Sequence, residues 1–192
     1  EFFLSINSQT EMQLRSTAEP DQVIATISAG SPQPGDHPLN EVAISDDGTL
    51  VAWVSFRGEI HVWSVGEERE IKTVATKIEA SRDLLISPDN RYIMAFTSNA
   101  GIILDLQEDQ TISLKGEGTM ISAAFSPDSK SVAIGYGTSS VDLVPLQPGK
   151  QIKGMSLLKF SIDLDHLEFT ADGDKIIAGS SNCLLAVLDL KM

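Results

Sequence analysis

The sequence predicts an all-β protein assembled from repeated four-stranded antiparallel units. Three observations carry that prediction. A short template recurs four times: an apolar pair, a small hydroxyl residue, an Asp turn and a second apolar run. The runs between turns are short and rich in Val and Ile, as strands are. No window sustains the 3.6-residue apolar period of an amphipathic helix.

The four copies of the template are Val42-Ala43-Ile44-Ser45-Asp46-Asp47-Gly48, Leu84-Leu85-Ile86-Ser87-Pro88-Asp89-Asn90, Ala123-Ala124-Phe125-Ser126-Pro127-Asp128-Ser129 and Leu167-Glu168-Phe169-Thr170-Ala171-Asp172-Gly173. Their hydroxyl markers Ser45, Ser87, Ser126 and Thr170 stand 42, 39 and 44 residues apart. A near-constant period of that length marks a repeat architecture.

Each unit then follows in order. After the first marker comes a second strand over Thr49–Val54, a turn at Ser55-Phe56-Arg57-Gly58, a third strand over Ile60–Val65 and a polar fourth over Ile71–Val74. The next unit reads Tyr92–Phe96, a turn at Thr97–Gly101, Ile102–Leu106 and Thr111–Leu114. The third reads Ser131–Gly135, a turn at Tyr136-Gly137-Thr138-Ser139 and Val141–Leu146. The fourth reads Lys175–Gly179, a turn at Ser180–Asn182 and Leu184–Leu190. Residues 1–38 fit the same scheme offset, with a second strand at Phe3–Asn7, a third at Glu11–Arg15 and a fourth at Val23–Ile27. The stretch from Ala29 to Pro38, holding Pro32, Pro34, Gly35 and Pro38, is a breaker-rich loop.

Four short strands cannot bury both of their faces alone, so each unit must stack on its neighbours. Radial stacking gives a β-propeller of four-stranded antiparallel blades, which leaves only short edges. The chain is expected to form one such region over residues 1–192, with units near 1–38 (partial), 39–77, 78–118, 119–159 and 160–192. About four and a half blades are present, set against a usual range of four to eight. The expectation is a piece of a larger propeller, the alternative being a small five-bladed ring with two imperfect blades. A piece would carry open edges on its terminal blades.

The repeats resemble the WD-repeat family over residues 37–192, most faithfully at Phe125-Ser126-Pro127-Asp128 and Ile60-His61-Val62-Trp63. The Trp-Asp position of that family reads Trp63-Ser64, Leu104-Asp105, Val144-Pro145 and Leu188-Asp189, and the nearest Gly-His is Gly35-Asp36-His37. The repeats are therefore degenerate, and a propeller of another lineage stays open. The resemblance implies a structural hydrogen-bond network of His37, Ser55 and Trp63, although Arg57 stands where its turn Asp belongs.

Charge narrows the partners. Fourteen Lys and Arg against 27 Asp and Glu leave −13, which repels phosphate backbones and anionic headgroups. Nucleic acid and membrane are therefore not expected; basic or neutral protein surfaces are, together with the remainder of the chain's own propeller. The single Cys183 excludes a disulfide scaffold and suits a reducing, cytoplasmic setting, with a periplasmic one left open.

No reaction chemistry is expected. His37, His61 and His166 share no metal-ligand spacing, and the Asp turns suit hairpins better than calcium, which needs 6–8 oxygens. There is no Gly-x-Ser-x-Gly elbow, and Gly135-Tyr136-Gly137-Thr138 lacks the Lys of a phosphate loop. Neither a metal nor a cofactor is expected.

What remains is surface. Turn and loop residues Phe56, Arg57, Arg82, Asn99, Tyr136, His166 and Asn182 are the candidate partner-binding set, because aromatic and Arg side chains on polar loops make interface anchors. The expected function is a non-enzymatic interaction scaffold. Ser87-Pro88-Asp89-Asn90-Arg91-Tyr92-Ile93 also resembles repeats of prolyl-oligopeptidase-type and TolB-like propellers, so the alternative is an accessory propeller of an enzyme whose catalytic part lies elsewhere. A channel enzyme such as a lactonase would need convergent acidic ligands and a metal.

Overall fold

The structure, a computed structural model, describes residues 2–8, 11–29, 39, 41–76, 78, 81–115, 118–146, 155–159, 164–181 and 183–191. Every regular element among them is a strand. The chain divides into two compact units, Glu1–Ile86 and Ser87–Met192.

In the first unit, β1 (Phe2–Ser8), β2 (Glu11–Ser16) and β3 (Val23–Ser28) form a three-stranded antiparallel sheet in that order. The next sheet is β4 (Glu41–Ile44), β5 (Leu50–Val54), β6 (Glu59–Ser64) and β7 (Arg69–Ala75), again in chain order. Strand β8 (Asp83–Ile86) opens the third sheet, which β9 (Tyr92–Phe96), β10 (Gly101–Asp105) and β11 (Gln110–Leu114) complete. In the second unit follow β12 (Met120–Phe125), β13 (Ser131–Tyr136), β14 (Ser140–Pro145) and β15 (Met155–Lys159) as a fourth sheet. The last sheet has β16 (His166–Phe169), β17 (Lys175–Gly179) and β18 (Leu185–Asp189).

The burial of each strand explains its composition. Strand β6 alternates, with Ile60 and Val62 fully buried between half-buried Glu59, His61 and Trp63. Strand β9 is buried on both faces, which requires the continuous apolar run Tyr92-Ile93-Met94-Ala95-Phe96. One core cluster in the first unit gathers Met12, Leu14 and Ile27 from the first sheet with Val51 and Trp53 from the second. A cluster in the second unit gathers Ala133 and Val141 from the fourth sheet with Leu164, just before β16, and Leu167, Phe169, Ile176, Ala178 and Leu188 of the last.

The repeated template is one turn, built four times. At Ser126 the main-chain carbonyl accepts the Ser129 N–H at 2.8 Å, and Ser129 takes φ +56°. The Ser126 hydroxyl donates to Asp128 Oδ1 at 2.7 Å and accepts the Ser131 N–H at 3.0 Å, while Asp128 Oδ1 accepts the Lys130 N–H at 3.1 Å. Ser45, Ser87 and Thr170 make the same set with Asp47, Asp89 and Asp172. The positive-φ position is Gly48, Asn90, Ser129 or Gly173, residues suited to that region or tolerant of it. Each hydroxyl donates to the turn Asp and accepts the N–H that opens the next strand, which is why the marker is Ser or Thr.

Candidate interaction surface

Each unit is taken by itself. In the first, the turn joining β5 to β6 is closed by the Gly58 N–H on the Ser55 carbonyl at 2.9 Å, with Gly58 at φ +73°. A Cβ at Gly58 would crowd the Ile78 carbonyl oxygen at 3.1 Å, in a backbone conformation that already favours glycine. Its own carbonyl accepts the Thr76 N–H at 2.9 Å and the Thr76 hydroxyl at 2.5 Å. The turn is thus tied to the chain beyond β7, and its two central residues project outward. Phe56 is 55% exposed and Arg57 is exposed beside it. Arg82, on the connection into β8, is exposed as well.

In the second unit Asn99 is exposed at the tip of the β9–β10 turn, where its N–H and that of Ala100 both bond the Thr97 hydroxyl at 3.2 Å. His166 is exposed as the first residue of β16. Tyr136 departs from expectation. It ends β13, paired with Met120 on one side and Ser140 on the other, and is 4% exposed. The flanking Gly135 and Gly137 suggest a turn, but Gly135 serves a different need: a Cβ there would come within 2.4 Å of Leu164 and 2.9 Å of Leu167. Tyr136 is a core residue, not a surface anchor. Asn182 and His37 lie outside the described residues.

The network expected at Ser55 and Trp63 does not form. Ser55 lies beyond the Val54–Ile60 rung, whereas Trp63 pairs with Val51 at the other end of the same ladder. The Ser55 hydroxyl instead accepts the Glu59 N–H at 3.2 Å. Among the described residues the buried indole nitrogen of Trp63 has no hydrogen-bond partner.

Two polar arrangements were not foreseen. His61 stacks on Trp53 at 4.9 Å and 5°, across the Trp53–His61 rung. Its Nδ1 lies 3.1 Å from Glu70 Oε2 and 3.3 Å from the Thr73 hydroxyl, and Thr73 also donates to Glu70. Both contacts use the same ring nitrogen, so the cluster fixes the ring rather than activating a nucleophile. The second arrangement is Arg91 with Asp105, joined by two hydrogen bonds of 3.0 Å and 2.8 Å. Asp105 is 3% exposed and also accepts the amides of Gln107 and Glu108. Burial pushes its carboxyl up, but Arg91 and the two amides prevail and hold it below the usual carboxylate range. The signal was in the sequence: Asp105 occupies the Trp-Asp position. Among the described residues, no three His, Cys, Asp or Glu side chains gather as a metal site.

These stacked antiparallel sheets are the blades of a β-propeller. The chain is similar to the β-propeller domain of Cps50 (Swd1) from Myceliophteria thermophila, with a TM-score of 0.68 at 16% identity. The match covers 79% of this chain and 52% of that one, so the chain spans about half the length of the solved domain. The β-propeller fold read from the degenerate repeats is the fold observed. No family model and no curated protein matches the sequence.

Proposed function

We propose that this chain is a section of a larger propeller that docks other proteins and carries out no reaction itself. The observation that carries the reading is the exposed Phe56–Arg57 pair on a turn anchored at Ser55, Gly58 and Thr76. A rigid turn presents an aromatic ring and a guanidinium without a large entropy cost on binding, the composition of an interface hot spot. The excess of 27 acidic over 14 basic residues favours a basic or neutral protein surface over nucleic acid or an anionic membrane.

Replacing Phe56 and Arg57 together by Ala tests the site. Proteins retained on the immobilised wild-type chain at low salt should be lost from the double variant by about tenfold or more, the effect of a residue pair worth roughly 1.4 kcal/mol or above. The circular-dichroism melt should not move. Undiminished capture removes the site.

A further inference from the structure

We propose that the free face of the last sheet, formed by Gly179, Leu185 and Val187, is the seat of a further blade carried by the same polypeptide. The inference rests on the reading of the chain as a section of a larger propeller, and it names the surface on which that propeller continues.

The fourth sheet shows how a seated blade looks in this molecule. Its Val141 is fully buried, packed in one cluster with Leu164, just before β16, and Leu167 and Ala178 of the last sheet. Leu164 and Leu167 fill the hollow above Gly135, so tightly that a Cβ would come within 2.4 Å of the first. The Leu167 N–H crosses to the Ser122 hydroxyl of β12 at 3.1 Å, in a buried hydrogen bond.

The last sheet repeats those positions without the cover. Counted from the markers Ser126 and Thr170, Gly179 stands where Gly135 does; counted from the following turn, Leu185 and Val187 stand where Val141 and Leu143 do. Among the described residues, the nearest atom to a Cβ added at Gly179 is His166 Cβ, at 4.0 Å, and none of them fills the hollow that Leu164 fills above Gly135. Leu185 is 73% exposed and Val187 59%. The counterparts Met12 and Leu14 on β2, and Ile60 and Val62 on β6, are all at 0%. The same pair of positions is sealed in the first two sheets, buried at Val141 and half-buried at Leu143 in the fourth, and bare in this one, with the glycine hollow beside it.

That geometry selects the occupant. A lone added strand would satisfy the edge of β18 but leave the hollow over Gly179 empty. A second copy turned face to face would set hollow against hollow. A blade of the same design brings an aliphatic side chain over Gly179, as Leu164 does over Gly135, and lays its first strands on Leu185 and Val187. The solved propeller that this chain resembles is covered over only 52% of its length, so a fold of this kind has room for further blades.

Thermal melts of Gly179→Val, Val187→Lys and the control Gly135→Val test this, in the 192-residue chain and in the full-length polypeptide. In the 192-residue chain Gly179→Val and Val187→Lys should shift the melt by less than about 2 °C, while Gly135→Val lowers it by about 5 °C or more. In the full-length polypeptide Gly179→Val and Val187→Lys should cost about as much as Gly135→Val. Tolerance of both there overturns the proposal. So does a dimer of the 192-residue chain in sedimentation that Val187→Lys dissolves, which would give the face to a second copy. A full-length polypeptide without a further blade would instead defeat the larger-propeller reading itself.

Discussion

Asp105 has a 4% exposed side chain, and what keeps it charged is Arg91, whose side chain is 20% exposed and lies 5.0 Å over the Tyr92 ring. Truncating Arg91 removes two charge-assisted hydrogen bonds and leaves a buried carboxylate with only the amides of Gln107 and Glu108. Removing one partner of such a pair costs more than the pair contributes net, because the other charge is left buried and short of a partner. Arg91→Ala should therefore lower the melting temperature at pH 7 by several °C. The pH dependence has a definite sign. The native carboxyl is held below its unfolded value, so its stabilisation is complete above about pH 4 and fades as pH falls through the native value. The deficit of Arg91→Ala should shrink at low pH, where Asp105 is protonated in the variant. Adding Asp105→Asn should recover part of it at pH 7. A deficit independent of pH would mean that Arg91 acts through packing on Tyr92 alone.

At the scale of the element, the recurring hydroxyl–Asp turn was legible because its chemistry is local. Ser or Thr at the marker, Asp two residues on and a positive-φ residue after it are all set by contacts within six residues. Tyr136 was misread for the opposite reason. Gly135 answers to Leu164 and Leu167, distant in sequence, and nothing near it distinguishes a packing glycine from a turn glycine. The Ser55–Trp63 network failed on register, which fixes ends of strands only once the whole ladder is known. The turn invites a direct measurement. Ser126→Ala deletes the bond to Asp128 and the acceptor of the Ser131 N–H at a residue 5% exposed. Its cost should be about 1–2 kcal/mol in chemical denaturation. Ser87→Ala, at a residue 1% exposed, should cost about the same; because the Asp89 N–H donates to the Ser129 hydroxyl and so joins the two turns, the double variant should depart from the sum. A cost below about 0.5 kcal/mol for each would show that the main-chain bonds hold the turn alone.

At the scale of the whole molecule, repetition made the fold class readable and left the partner unnamed. Repetition of one module forces stacking, whereas the surface proposed to bind rests on single exposed residues, Phe56 and Arg57, that repeat nowhere. What the totals do determine is the response to salt. The 27 acidic residues exceed the basic ones by 13, and the pairs Arg69–Glu67 and Lys130–Asp128 are exposed enough to contribute little. Self-repulsion among the surplus carboxylates therefore outweighs exposed pairing, and screening it favours the compact state. Raising sodium chloride from about 10 to 200 mM should raise the melting temperature by a few °C. The same salt should weaken capture of a basic partner, because screening also removes the attraction across the interface. Chloride tests screening more cleanly than sulfate, which also strengthens apolar burial. A chain that loses stability with added chloride would show that its ion pairs, Arg91–Asp105 foremost, dominate over its net charge.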